Sequence, residues 1–524
     1  MTGTGALVRL ILRRDRLIIP LWVLLLAIMP ITQTSALGGL YDTDAELQAF
    51  AASMRSTPAF TALYGPLLDW HAPALGVWRA GFVPVILGMA CLLTVIRHTR
   101  VEEESGRREL IGSTVIGRNA GLTAALVVTS IAAVLTGVIV FATLAGSHPV
   151  AGALAAGLGY MLVGLAFAVV GAVAAQLTES AGGARAIGLA ALGVAYLARM
   201  AGDTSDASWL SWLSPIAWGQ KLRPFASEDW SPLLVFAVFL ALAGYAAYVL
   251  SARRDVGAGL LPPSLGPASA PTSLASPFAL AWRLHRGPLL AWSIAFAIFG
   301  MVIGSAAKAA TDALGQNAEI REMLARLGGS ADLGDLFIAA LISIFGLAVS
   351  GYAIQAALRM RTEETLTRAE PLLATGVGRL EWAAGHLAFA LLGPAVVLAV
   401  SGAGVGLAYG GATGDLAGQL PRTVGAALAQ LPAVWTLAGL AVALFGLLPR
   451  AVSAAWVALA AFLLLGQVGA LLDLPEALLE VSPFSHLPML PGGPADLTPL
   501  AAMTAVAAVL TAAGLYGWRR RDVG

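Results

Sequence analysis

The chain has 524 residues, 58% hydrophobic and only 12% charged, with a mean hydropathy of +0.81. A soluble domain carries about 25% charged residues, so most of this chain is solvated by lipid. A net charge of +1 with no Lys/Arg run or aromatic-basic stripe excludes a nucleic-acid partner. Cys91 is the single cysteine, which excludes an internal disulfide, and six scattered histidines without a His-x-x-x-His pair point to no metal site.

A bilayer core about 30 Å thick takes roughly 20 apolar residues as a helix. Taken in chain order, the sequence predicts spans near 17–37, 78–97, 119–145, 150–176, 184–200 and 231–251, then near 287–308, 335–358, 383–409, 424–448, 452–472 and 498–518. Residues 119 to 178 contain no Asp, Glu, Lys or Arg, too long a stretch for one span, and Gly146-Ser147-His148-Pro149 is the natural break. The expectation is an all-α integral membrane protein of about twelve helices. They form a first half over 1–257, a Pro/Ser/Ala-rich linker over 258–278 and a second half over 279–524. The apolar start at 17–37 is too long for a cleaved leader and reads as a retained span.

Charge fixes the expected orientation. With both termini inside, 22 of the 31 basic residues lie on the inner side: those of 9–16, 97–118, 253–254, 283–286, 359–379 and 519–521, with Arg185 and Arg450. The Arg-rich stretches 9–16 and 283–286 are expected as amphipathic helices at that interface. Only Lys221 and Lys308 are lysines, a bias of high-GC bacterial genomes that places the chain in a bacterial cytoplasmic membrane. Neither sits in Gly-Lys-Ser/Thr, so this chain carries no P-loop.

The two halves repeat one another. Arg100-Val-Glu102-Glu103-(x)3-Arg107-Arg108-Glu109-(x)4-Thr114-(x)2-Gly117-Arg118 aligns without a gap with Arg361-Thr-Glu363-Glu364-(x)3-Arg368-Ala-Glu370-(x)4-Thr375-(x)2-Gly378-Arg379. Arg253-Arg254-Asp255-Val256-Gly257 ends the first half as Arg520-Arg521-Asp522-Val523-Gly524 ends the second. Six spans per half give the halves the same parity, so a parallel pseudo-twofold relation is expected, not an inverted one. Topology alone needs the arginines but not the glutamates, the Thr or the Gly-Arg in register. The repeat therefore reads as two docking points for something soluble.

Glu104-Ser-Gly106-Arg-Arg-Glu109-Leu-Ile-(x)2-Thr114-(x)3-Arg118, between the second and third of six spans, resembles the signature of ABC-2 type permeases. The full length is similar to the fused two-half class of polyketide-antibiotic exporters that includes tetronasin-resistance permeases. The resemblance implies that the chain itself is no enzyme, has no catalytic residue and binds no cofactor. It implies two copies of a separate ABC ATPase carrying ATP and Mg, docked through Glu102, Glu103, Glu104, Arg107, Glu109 and Arg118 and through Glu363, Glu364, Arg368, Glu370 and Arg379. The second copy departs from the signature at Thr367, where Gly would be expected.

Residues 102–112 are long enough for about three helical turns, whereas Pro371 is expected to break the second copy after about two. Leu110/Ile111 and Leu372/Leu373 are available for packing. Outside, 42–64 and 312–328 are expected to form short rim helices, and Trp209, Trp212, Trp218 and Trp230 an interfacial belt. Arg79, Gln355, His386, Gln430 and Gln467 are polar candidates at membrane depth, either packing groups between helices or contacts for a small hydrophobic substrate. Glycines 402, 404 and 406 lie inside an apolar span and permit close helix approach, not dinucleotide binding. An ion-coupled secondary transporter is the alternative; it calls for a mid-span carboxylate, and the sequence offers none securely. A lipid enzyme would have to be built on Ser482-Pro483-Phe484-Ser485-His486, which has no acidic partner nearby except Glu480.

Overall fold

In lipid every backbone N–H and C=O must be satisfied within its own segment, and the apolar runs of this chain accordingly fold as helices. The computed structural model describes residues 2–40, 43–55, 58–112, 114–261, 268–271, 274, 276–316, 333–468, 475–493 and 496–523. Among these, eleven helices are long and apolar enough to cross a membrane, and all regular elements are helical. The region expected to hold the remaining span is described as the helix Ala454–Val468, whose apolar part is Ala454–Leu463; residues 469–474 lie outside the described set. The chain divides into two compact units, Met1–Gly266 and Pro267–Gly524.

In the first unit the helix Val150–Leu177 is central, packing on Ala120–Ala145, Val83–His98, Pro232–Arg253 and Ala181–Thr204. Leu87, Cys91, Val140, Ala153, Ala156 and Tyr160 form its core. Between the first and second spans the chain builds a cap of three short helices, Asp44–Arg55, Pro58–Tyr64 and Ala72–Arg79. The cap has its own core of Leu37, Leu47, Ala51, Leu67, Leu75 and Trp78. The short helices expected over 42–64 are therefore present, whereas 317–328 of the second expected rim segment falls outside the described residues. Trp209, Trp212 and Trp230 are exposed as a belt would be, but Trp218 is buried and donates its indole N–H to Trp212 O at 2.7 Å.

In the second unit Arg379–Thr413 takes the central place, against Pro277–Gln316, Leu416–Leu428 and Leu333–Ala357. Its glycines serve two neighbours: a Cβ on Gly402 or Gly406 would meet Thr423 at 2.7 or 2.4 Å, and one on Gly404 would meet Ala297 O at 2.7 Å. Ala and Gly at such crossings let backbones approach where no water remains to be expelled.

The stretch 283–286 is not a separate interfacial helix. It lies inside the continuous helix Pro277–Gln316, whereas its counterpart Thr4–Arg14 is a helix of its own, ended at Asp15. Pro288 lies inside Pro277–Gln316 as Pro30 lies inside Ile18–Leu40, and neither proline ends its helix.

Candidate functional site: two glutamate–arginine clamps

In the first unit the helix Val83–His98 passes through Thr99 into Arg100–Glu104, breaks at Ser105-Gly106 and resumes as Arg107–Gly112. Gly106 has φ +71°, in the left-handed region that glycine enters freely. The second unit repeats the path: Arg359–Thr365, a break, then Ala369–Leu373, with Thr367 at φ +53° in the place of Gly106. The three-turn helix expected in the first copy is thus two short helices, and so is the second copy. The break falls at the left-handed residue and not at Pro371, which sits in the first turn of Ala369–Leu373, where a missing N–H costs nothing.

The break turns each acidic pair inward. Glu103 is buried, and its side chain meets three arginines. Arg254 holds it bidentately, Nη1 to Oε2 at 2.8 Å and Nη2 to Oε1 at 2.9 Å. Arg100 donates to Oε2 at 2.9 Å, and Arg108 donates to Oε1. The arginines are held in turn. Arg100 donates to Ala175 O at 3.0 Å and to Ala258 O at 2.9 Å, and Arg254 Nε to Gln176 Oε1 at 2.7 Å. Arg118 closes the joint by donating to Arg254 O at 2.7 Å and Ala252 O at 3.0 Å, the free carbonyls at the end of Pro232–Arg253. Orphan carbonyls and the helix dipole both favour a cation there. Glu104 accepts from Ala181 N at 2.9 Å, an anion at the start of Ala181–Thr204.

The second unit builds the same joint from the repeated residues. Arg521 holds Glu364 bidentately at 2.5 and 2.8 Å, and Arg361 donates to it at 2.8 Å. Arg379 donates to Arg521 O at 2.7 Å, as Arg118 does to Arg254 O. Aromatic rings supplement the pair: Arg521 lies over Trp518 at 4.8 Å and over Phe445 at 4.9 Å. Trp518 in turn donates to Arg379 O at 3.2 Å. Each clamp ties the loop between the second and third helices of its unit to the end of the unit's last helix. Glu363 is buried too, with Arg359 Nε 2.9 Å from its Oε1, an ion pair without hydrogen-bond alignment.

The site residues expected from sequence therefore fall into two groups. Glu103, Glu363 and Glu364 are buried in their own unit, and Glu104, Arg118 and Arg379 bond to it, Glu104 and Arg118 while still exposed. Glu102 also turns back, bonded to Arg14 and to Arg107, the latter at 2.7 Å through Nε. That bond to Glu102 pushes the Arg107 guanidinium pKa up, whereas burial pulls that of Arg108 down. Arg107, Glu109, Arg368 and Glu370 are exposed, together with Val115 and Leu366. Leu372 and Leu373 pack on the core of their unit; the side chains of Leu110 and Ile111 lie outside the described set. The partners of the buried glutamates, Arg254 and Arg521, escaped the sequence reading as contacts, since each lies over 150 residues from its glutamate. The only signal of them was the repeated Arg-Arg-Asp-Val-Gly.

The membrane-depth candidates do not converge. Arg79 ends the short helix Ala72–Arg79, ahead of the span; Gln355 is exposed near the end of Leu333–Ala357. Gln430 is buried at the junction of Leu416–Leu428 and Leu431–Leu447, and the side chain of Gln467 lies outside the described set. His386 is buried with its Nδ1 3.0 Å from Nε2 of His285; Trp382 meets His386 edge-on, and Phe389 stacks on His285 with Phe278 beyond it. Among the described residues no group of three or more His, Cys, Asp or Glu is placed to hold a metal. Ser485 and His486 make only local backbone contacts, with Ser482 O and Glu480 O.

Helices of membrane length, a charged loop clamped at one end of each unit and no P-loop lysine define a multi-pass membrane protein of permease type. Residues 274–519 match the family described as the C-terminal domain of the multidrug efflux system permease Rv1217c. The whole chain is 43% identical over 524 residues to the multidrug efflux system permease protein Rv1217c of Mycobacterium tuberculosis (strain ATCC 25618 / H37Rv), covering 100% of this chain and 95% of that one. The chain belongs to this family of efflux-system permeases and is a transport component.

Proposed function

We propose that the chain is the membrane subunit of an ABC-2 type exporter, powered by two copies of a separate ATPase that bind ATP and Mg and dock on the two charged loops from the cytoplasm. The observation that carries this reading is the duplicated joint. A loop held to the last helix of its unit by a bidentate Arg–Glu pair cannot move without that helix. ATPase closure would then pull on the second, third and sixth helices of each half together. The exposed face of each loop is left for the partner: Arg107, Glu109 and Val115 in one, Leu366, Arg368 and Glu370 in the other. Apolar contacts through Val115 and Leu366 would hold the partner and the rim charges would set its register. Both termini lie on that side. The cargo is a hydrophobic or amphipathic compound, in keeping with the relative's description as a multidrug efflux permease and with apolar helices throughout; a polyketide antibiotic is the specific expectation.

The test is gentle purification from the native host with mass spectrometry of what co-purifies, for the native chain and for Glu109→Lys with Glu370→Lys. A Walker-motif ATPase at two copies per chain, lost in the double variant while its melting temperature stays unchanged, is the expected result. A chain free of ATPase that moves substrate in vesicles under a proton gradient alone would overturn the reading. Glu103 and Glu364 are unsuitable for this test, because reversing them would break the fold of the loop as well as any docking.

A further inference from the structure

At the far end of the first unit from its clamp, the cap, the central helix and the segment before the last span line a half-open cavity of about 80 Å3. Tyr160, in its wall, is fifteen residues from Ala175, whose carbonyl takes Arg100; at about 1.5 Å per residue that is roughly 22 Å along the helix. Tyr64, Trp78, Tyr160 and Val163 make the wall apolar and aromatic. Its polar lining is Gln220, with the charged Asp69 and the exposed Arg223 also on the cavity. Gln220 Nε2 donates to Tyr64 O at 2.9 Å, which fixes the amide, and its buried Oε1 has no hydrogen-bond partner. An unmet buried acceptor costs about 1–3 kcal/mol and natural folds rarely leave one without a reason. The adjoining loop is also unusual: Arg223, Phe225 and Ser227 all have positive φ, at 52°, 61° and 54°, and none is glycine. Such strain persists where the surroundings enforce it, here with Phe225 wedged against Gly152, and it gathers at ligand sites. Asp69 lines the rim but is already taken by His71 and Trp70 N, so the cavity offers no free carboxylate for a cation.

We propose that this cavity binds the uncharged, ring-sized apolar end of an amphipathic small molecule that carries an O–H or N–H donor, which meets Gln220 Oε1. As a subsite for transported compounds the proposal rests on the efflux reading; as a binding site it stands alone. A ring fills the volume between Tyr64, Trp78 and Tyr160, and the donor supplies the bond that the fold leaves unmade.

The experiment is photolabelling of the full chain in nanodiscs with 4-[3-(trifluoromethyl)diazirin-3-yl]benzyl alcohol and with its analogue bearing methyl in place of the hydroxymethyl group, mapped by mass spectrometry. Labelling of 64–84, 156–163 and 216–226 is expected to be several-fold stronger for the alcohol. Gln220→Leu should reduce it to the level of the methyl analogue, and Ala156→Phe, which fills the cavity, should remove both. Equal labelling by the two probes in the native chain, or alcohol labelling unmoved by Gln220→Leu, overturns the proposal even if Ala156→Phe fails to fold. Ethidium efflux by native-host cells carrying the same variants separates the two claims. Efflux without selective labelling defeats the cavity, and selective labelling without efflux defeats the transport reading and with it the subsite's role.

Discussion

The two clamps use the same residues in register and yet are not equally built. In the first unit Glu103 is shared by three arginines, of which Arg100 is wholly buried and Arg254 nearly so. In the second unit Glu364 has two, because Ala369 stands where Arg108 does, and the aromatic faces of Trp518 and Phe445 supply part of what the missing contacts would. A guanidinium over an aromatic ring is partly compensated without its carboxylate; the arginines of the first clamp keep their carbonyl hydrogen bonds but would be left as three cations around one vacated site. The first clamp is therefore brittle and the second tolerant.

The largest expected effect follows from that difference. Glu103→Ala leaves buried arginine charge uncompensated, which costs about 3–5 kcal/mol, and the variant should fail to accumulate or melt far below the native chain in detergent. Glu364→Ala should accumulate and melt measurably lower, since Arg361 reaches solvent and Arg521 keeps its rings. Fluorescence-detected size exclusion with a thermal ramp compares the two; equal damage, or more from Glu364→Ala, would break the comparison.

Much of this was legible in the sequence and some was not. Hydropathy located the helices, because lipid demands long uninterrupted apolar runs, and the internal repeat located both loops. What the repeat could not reveal was direction. Glu103 and Glu364 read as part of a docking surface, but both are buried on Arg254 and Arg521, which arrive from the other end of each half. Nor could it reveal that Arg283 and Arg286 lie within one long helix, since Pro288 stands just past them and proline usually kinks or ends a helix.

The left-handed residues give a second, smaller contrast. Gly106 enters φ +71° without strain, whereas Thr367, β-branched, is held at +53°. For an L-residue that conformation costs roughly 1–2 kcal/mol. Thr367→Gly should therefore raise the melting temperature, and Gly106→Thr should lower it by a similar amount. Gly106→Thr isolates backbone strain, because a Cβ at Gly106 would meet nothing within 4 Å, whereas Thr367→Gly also removes the Oγ1 hydrogen bond to Leu366 O at 2.7 Å. If Thr367→Gly destabilises, that bond and the flexibility gained by the unfolded chain outweigh the strain relieved.

The third arginine can be moved. Arg108→Ala makes the first clamp resemble the second and removes a half-buried donor that also reaches Arg118 O at 2.9 Å. Glu103 keeps Arg100 and Arg254, so a loss of about 1 kcal/mol is expected, well short of Glu103→Ala. A loss matching Glu103→Ala would show that Arg108, not Arg254, is the chief partner of the glutamate.

The smallest effect concerns the N-terminal helix, which only the first unit has as a separate piece. Thr4–Arg14 is tied to the loop by Arg14 to Glu102, and to the second span by Asp15, whose Oδ2 lies 2.7 Å from His98 Nε2 and whose Oδ1 lies 3.0 Å from Arg97. In the second unit the equivalent stretch is part of Pro277–Gln316 and backbone continuity replaces those ties. The Arg14–Glu102 pair is exposed on the arginine side, and such pairs contribute about 0–1 kcal/mol. Arg14→Ala should leave the melting temperature within a degree or two of native. Asp15→Ala should lower it clearly, because it strips a buried partner from His98. Hydrogen exchange over residues 4–14 reads the same contrast locally, with Asp15→Ala freeing the helix and Arg14→Ala leaving it protected. Were Arg14→Ala alone to free it, the helix would be held through the charged loop instead of the span, and motion of the loop would reach the N-terminus directly.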